Sequence, residues 1–132
     1  MKQESQEFLS SLLEEQKNKE LLLKDLCARL PYFTKVQIKN EIVVLDSICD
    51  DDGYYFNFIG DTREGVNIEN IKPYLFPISS MNEEQKKEWL YTLSSDYNIT
   101  YDTIDWLNKN HFDYHGLIER GLAIDATGLN IY

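Results

Sequence analysis

The sequence is short of most of what specialised chemistry requires. Its 132 residues include two cysteines, two histidines, three prolines and six glycines. Cys27 and Cys49 stand alone with no C-x-x-C pair, which argues against a zinc site and against a disulfide scaffold. Each falls in an apolar stretch and is expected to be a small buried residue. There is no glycine-rich phosphate loop and no Gly-x-Ser-x-Gly elbow. No apolar run approaches ~18 residues, so no segment is expected to span a bilayer. The opening Met1-Lys2-Gln3-Glu4-Ser5 leads into no apolar signal-peptide core, and the expectation is a soluble cytoplasmic protein.

Positive charge is scarce as well. Thirteen Lys and Arg stand against 23 Asp and Glu, for a net charge of −10. Residues 1–30 carry 5 positive and 6 negative charges, residues 31–78 carry 4 and 8, and residues 79–132 carry 4 and 9. The acidity is therefore spread along the chain and is not a tail. Such a surface repels phosphate backbones and argues against ordinary DNA or RNA binding. It leaves open an acidic decoy that occupies the basic site of a nucleic-acid-binding protein.

Apolar and aromatic residues are plentiful. Hydrophobic residues make up 42% and charged residues 27%, a globular composition, and nine Tyr and six Phe supply an aromatic core or a binding surface. The length suits one domain, residues 1–132, divided into a helical segment 1–30, a β part 31–78 and a helical part 79–132.

In residues 4–29, Phe8, Leu9, Leu12 and Leu13 form one apolar stripe, and Leu22, Leu23, Leu26, Cys27 and Leu30 form a second. The polar run 14–20 separates them, so this is one helix whose first half projects outward, or two helices with a break. Leu30-Pro31 ends the pattern. A projecting apolar stripe suggests a homodimer through the N-terminal helix; the alternative is a helix folded back on its own core.

Strands come next. Val36 and Ile38 alternate with polar residues, Asn40-Glu41 marks a turn, and the β-branched run Ile42 to Ile48 reads as the central strand. Asp50-Asp51-Asp52-Gly53 is a hairpin loop, after which Tyr54, Phe56 and Phe58 share one face. Gly60 to Gly65 is a polar turn, Val66-Asn67 begins a fourth strand, Ile68 to Ile71 makes a helical turn, and Lys72 to Leu75 is a last strand near an edge, where Pro73 is tolerated. Ile71 to Met81 is the joint of the chain: Tyr74, Leu75 and Phe76 between two prolines are too apolar for a solvated linker. Ser80-Met81-Asn82-Glu83 has the form of a capping box for a helix reaching about Leu93, with Trp89, Leu90 and Leu93 inward. A second helix, Asp102 to about Asn110, turns Ile104, Leu107 and Trp106 inward. A short helix at Leu117 to Arg120, capped by Gly121, precedes an extended and loosely held end, Ala123 to Tyr132. The fold class is α+β: an N-terminal helix, a small antiparallel SH3-like barrel or curved sheet of 4–5 strands, then C-terminal helices.

Three groups are candidates for chemistry. His111-x-Asp113-x-His115 could ligate a metal or supply a base and its orienter in a small hydrolase, but it lacks an H-E-x-x-H context and a further ligand. The simpler arrangement has Asp113 capping the following helix, His111 covering the end of the preceding one, and Phe112 and Tyr114 packing inward. The Asp50–Gly53 loop lacks the alternating ligands of a calcium loop. A Cys or Ser nucleophile paired with His is the third candidate, but Cys27 and Cys49 lie in apolar elements and there is no Gly-x-Ser-x-Gly elbow. Sequence patterning thus assigns no catalytic, cofactor-binding or metal residue and no cofactor.

Three blocks carry a resemblance. Leu21-Leu22-Leu23-Lys24-Asp25-Leu26-Cys27-Ala28-Arg29-Leu30-Pro31-Tyr32 is the first. Lys72-Pro73-Tyr74-Leu75-Phe76-Pro77-Ile78-Ser79-Ser80-Met81, followed by Glu83-Glu84-Gln85, is the second. Trp106-Leu107-Asn108, His111-Phe112-Asp113-Tyr114 and Gly116-Leu117-Ile118 make the third. Together they resemble a group of small uncharacterised proteins of Bacteroides-type gut anaerobes, often carried on phages and mobile elements. The resemblance covers roughly residues 20–125 and implies a mobile-element setting, with no activity to carry over. The functional expectation is a non-enzymatic protein-interaction or accessory module, with an unidentified protein as partner and neither nucleic acid nor membrane.

Overall fold

A helix with no break opens the structure. The computed structural model describes residues 2–50, 53–60 and 66–132, with side chains from residue 5 onward. Asp51 and Asp52 of the acidic loop, and residues 61–65 of the following turn, lie outside the described residues. Helix α1, Lys2–Arg29, spans 28 residues, about 42 Å. The polar run 14–20 lies inside it and continues it. A 3-10 turn, Leu30–Tyr32, carries Pro31 where its missing N–H costs nothing, and Phe33 (φ 54°) turns the chain into the sheet.

Strands β1 (Lys35–Ile38), β2 (Glu41–Asp50) and β3 (Tyr54–Phe58) form an antiparallel meander. The two-residue turn between β1 and β2 is Lys39-Asn40, with Lys39 at φ 56°, and Glu41 already pairs with Ile38. Strand β4 (Lys72–Pro77) packs on the other side of β1, giving the order β3-β2-β1-β4-β5. The centre of the sheet is therefore β1, whose Val36 and Ile38 are buried, and not the β-branched run in β2, where Ile42 is exposed. An irregularity between Leu45 and Ser47 turns Asp46 to solvent.

Strand β4 is no edge strand. Val36 lies opposite Pro73, while the second half of β4 pairs in parallel with two short strands, β5 (Phe112–Asp113) and β6 (Ile124–Asp125). The expected fourth strand at Val66-Asn67 is instead a single bridge from Val66 to Phe56. The helical turn that follows is present at Ile68–Asn70. The sheet is open, so the curved-sheet form of the α+β expectation holds and the SH3-like barrel does not.

Two further helices follow, α2 (Glu83–Thr92) and α3 (Tyr101–Lys109). The cap of α2 lies two residues later than expected: Asn82 accepts from the Gln85 amide at 2.8 Å and Gln85 Oε1 accepts from Asn82 N–H. Thr100 and Thr103 cap α3, and both hydroxyls donate to the Thr92 carbonyl, which ends α2. Leu90 of α2 is half exposed, so the inward stripe is carried by Trp89 alone among the partly buried positions of that helix and by Leu93 just after it. The segment Leu117 to Arg120 is a hydrogen-bonded turn and not a helix.

The core has two parts. Leu22 and Leu26 of α1 pack with Val36, Ile38, Leu45, Phe56, Phe58, Ile71, Leu75 and Leu117. Met81, Leu107 and Phe112 form the second, with Phe76, Trp89 and Trp106 against them. Strand alternation sends Leu75 into the first and Phe76 into the second, so the joint read from the sequence binds the two clusters.

Candidate functional site

The C-terminal half of α1 holds a polar pair on an apolar face. Leu22, Asp25, Leu26 and Arg29 are its buried positions, at a spacing that puts all four on one side of a helix. Both charged side chains are fully buried. Arg29 Nε donates to Asp25 Oδ1 at 2.6 Å and Nη2 to Oδ2 at 3.1 Å, and Nη2 also donates to the Phe112 carbonyl at 2.7 Å. His115 Nδ1 reaches Asp25 Oδ2 at 2.7 Å. The Arg29 guanidinium lies 5.2 Å from the Tyr114 ring centre, which gives its cation a π face. Arg29 Nη1 has no hydrogen-bond partner. Burial alone would raise the Asp25 carboxyl; the bonds from His115 and Arg29, with the charge of Arg29, overcome it and hold the group below the ordinary range.

The three residues of His111-x-Asp113-x-His115 are engaged in three different places. His111 (φ 63°) stacks on Tyr132, ring centres 3.6 Å apart and 11° from parallel, with Nδ1 buried and unpartnered. Burial, aided by the positive charges of Arg29 and Lys35, lowers its pKa to about 4. Asp113 accepts from the Leu117 and Ile118 amides, both at 2.9 Å, and so caps the turn that stands where the short helix was expected. His115 belongs to Asp25. An Asp–His pair can orient a general base, but no serine, threonine or cysteine side chain is bonded to His115 among the described residues. Among the described residues there is also no group of three or more His, Cys, Asp or Glu placed to hold a metal ion.

Both cysteines are free and exposed, contrary to their expected burial. Cys27 sits on the flank of α1 beside the buried face, and Cys49 near the end of β2, where Asn57 Nδ2 lies 3.3 Å from its sulfur. The C-terminal end is also tied, not loose. The Ala126 amide donates to Leu75 O at 2.8 Å. The Tyr132 hydroxyl accepts from Lys35 N–H and donates to Tyr74 O, both at 2.9 Å. Burial raises that hydroxyl to about 12.

Exposed apolar residues such as Phe33, Ile42 and Ile59 are scattered over the surface, and two places gather several. Residues 5–17 of α1 are all exposed, and within them Phe8, Leu9, Leu12 and Leu13 present 45–66% of their surface to water. At about 100° per residue, this stripe is centred about 120° around the helix from the buried set Leu22, Asp25, Leu26 and Arg29. Glu14 and Asn18, which meet Arg120, lie on the side of the buried set. Leu9, Leu12 and Leu13 therefore lie to the side of and behind the face that meets the body, with Phe8 nearer to that face. The second place is a shallow groove of about 650 Å³ over Pro77, Ile78, Trp89, Ile99, Leu107 and Ile118.

The buried pair was legible as a signal that the helix pattern alone did not use: Asp25 and Arg29, four residues apart, interrupt an apolar stripe on its own face. His115, 90 residues away, has no such local signal. Comparison with protein families, with curated proteins and with solved structures finds no match for this chain.

Proposed function

We propose that this protein is a non-enzymatic interaction module whose binding element is the projecting half of α1. The observation that carries the reading is the stripe of Phe8, Leu9, Leu12 and Leu13, exposed on a helix segment where, among the described residues, none of the four side chains is buried. An isolated helix of about a dozen residues is marginal in water, and four apolar side chains on one face favour a partner that covers them. The partner is a protein, a second copy of the chain included. A net charge of −10 repels nucleic-acid phosphates, which supports the same choice. Two free, exposed thiols support a reducing, cytoplasmic setting. The mobile-element resemblance of the three sequence blocks supports a role as an accessory protein of a phage or similar element.

The test compares the intact chain with one lacking residues 1–17 and with the double variant Leu9→Glu/Leu12→Glu. Only the intact chain should self-associate or retain a protein from host lysate, while all three unfold at similar temperature. If the intact chain stays monomeric and retains nothing that the shortened chain does not, the reading fails.

A further inference from the structure

Resting on that reading, we infer that the partner of the projecting helix is a second copy of this chain, paired antiparallel about a two-fold axis between Ser10 and Ser11. The sequence on the exposed face is symmetric about that point: Phe8-Leu9-Ser10-Ser11-Leu12-Leu13 reads apolar, apolar, small, small, apolar, apolar in either direction. A two-fold interface requires that when residue i meets residue j, residue j meets residue i. In the antiparallel pair Leu9 faces Leu12 of the second copy, the uncharged Ser5 and Gln16 meet at either end, and Phe8 and Leu13 flank this central line on opposite sides. The positions on the central line, from Ser5 to Gln16, are apolar or uncharged in both copies. Glu7 and Glu14 lie on the opposite face of the helix, away from it.

Charge selects this orientation over the parallel one. Parallel pairing sets the two bodies side by side at one end of the helix pair, and each chain carries −10. It also brings Glu15 of one helix toward Glu20 of the other, at the positions that flank a parallel seam. Antiparallel pairing sends the bodies to opposite ends and separates these glutamates. Four apolar side chains per copy cover roughly 800 Å² in total, below the size of stable specific interfaces, so the dimer is weak and transient, with Kd on the order of 100 μM.

The experiment uses the full chain with Cys27→Ser and Cys49→Ser, to which Ser5→Cys or Gln16→Cys is added singly. Both positions are exposed, so neither change disturbs the core. The two proteins, one isotopically heavy, are mixed at ~100 μM and oxidised mildly. The expected product is the mixed disulfide between positions 5 and 16, formed several-fold faster than either like-with-like product. Sedimentation should show dimer that dissociates on dilution and is absent in Leu9→Glu. Like-with-like cross-links from a dimeric protein would overturn the antiparallel arrangement and leave self-association standing. A monomer at every concentration, or an arm protected from proteolysis only by a different protein, would overturn the choice of a second copy.

Discussion

Nδ1 of His115 lies 2.7 Å from Oδ2 of Asp25, a bond between residues 90 apart in the chain. It fastens the C-terminal half of α1 to the turn that follows β5, at the carboxylate that also neutralises Arg29. One acid thus holds a helix, a cation and a loop together. The network costs desolvation and gains only because its members are paired.

Removing the acid should be severe. Asp25→Ala leaves the Arg29 guanidinium buried without its counter-ion, at a cost of about 3–5 kcal/mol by denaturant unfolding. Replacing both partners, Asp25→Leu with Arg29→Met, should recover most of that loss, because no buried charge is then stranded. A single-variant loss below ~1 kcal/mol would show that the pair is solvated.

Acid should weaken the fold in two stages. The neutral form of His111 is favoured in the folded state, where its pKa is about 4 against an ordinary 6.5. Its stabilising effect is complete above pH 6.5 and is lost as pH falls toward 4. Because His111 is only partly buried, solvent screening reduces this to about 1 kcal/mol. The Asp25 carboxyl is lowered in the fold, so its contribution is present above the ordinary carboxylate value and disappears only as pH falls below it. Unfolding free energy measured from pH 8 to pH 3 should show both slopes. In His111→Asn, which keeps a residue tolerant of φ 63°, the slope between pH 6.5 and 4 should flatten.

The two faces of β4 should respond separately. Leu75, fully enclosed, should cost about 3 kcal/mol as Leu75→Ala. Phe76 is half-buried against Phe112 and Tyr132, and Phe76→Ala should cost about 2 kcal/mol. Calorimetry decides. If Phe76→Ala costs under ~0.5 kcal/mol, the second cluster does not lean on the strand.

The last residue should behave as part of the sheet. Tyr132→Phe removes the hydroxyl between Lys35 and Tyr74 and should cost about 1 kcal/mol. In an alkaline absorbance titration one tyrosine should ionise near 12, later than an ordinary phenol. Since that folded-state pKa is raised, the associated stability is intact below pH 10 and fades as pH climbs through 12. A titration in which no tyrosine lags would contradict the enclosure of this hydroxyl.

What could be read from the sequence was local. The periods of α1, the stop at Leu30-Pro31, the alternation in β1, the aromatic face of β3 and the packed joint at Leu75-Phe76 are statements about neighbouring residues. The cap of Asp113 was legible for the same reason, since the amides that donate to it lie four and five residues on. What escaped depends on distant pairing. β-branched composition marked β2 as central, but centrality belongs to β1 because β4 arrives from residue 72 to cover it. β5 and β6 are two residues each, too short for any period, and exist because β4 offers them hydrogen bonds. The two cysteines misled because both occur among apolar residues, whereas helix and strand geometry turn both side chains outward.

The ties at Asp25–His115 and Lys35–Tyr132 also bear on how fast the chain assembles. They close loops of 90 and 97 residues in a protein of 132. Closing loops of that size costs about 4 kcal/mol of chain entropy for each considered alone, and the cost comes before any bond is made. Contacts this far apart raise the relative contact order. The body should therefore refold on the millisecond-to-second scale of β-rich domains, although its longest element is a helix that alone forms in microseconds.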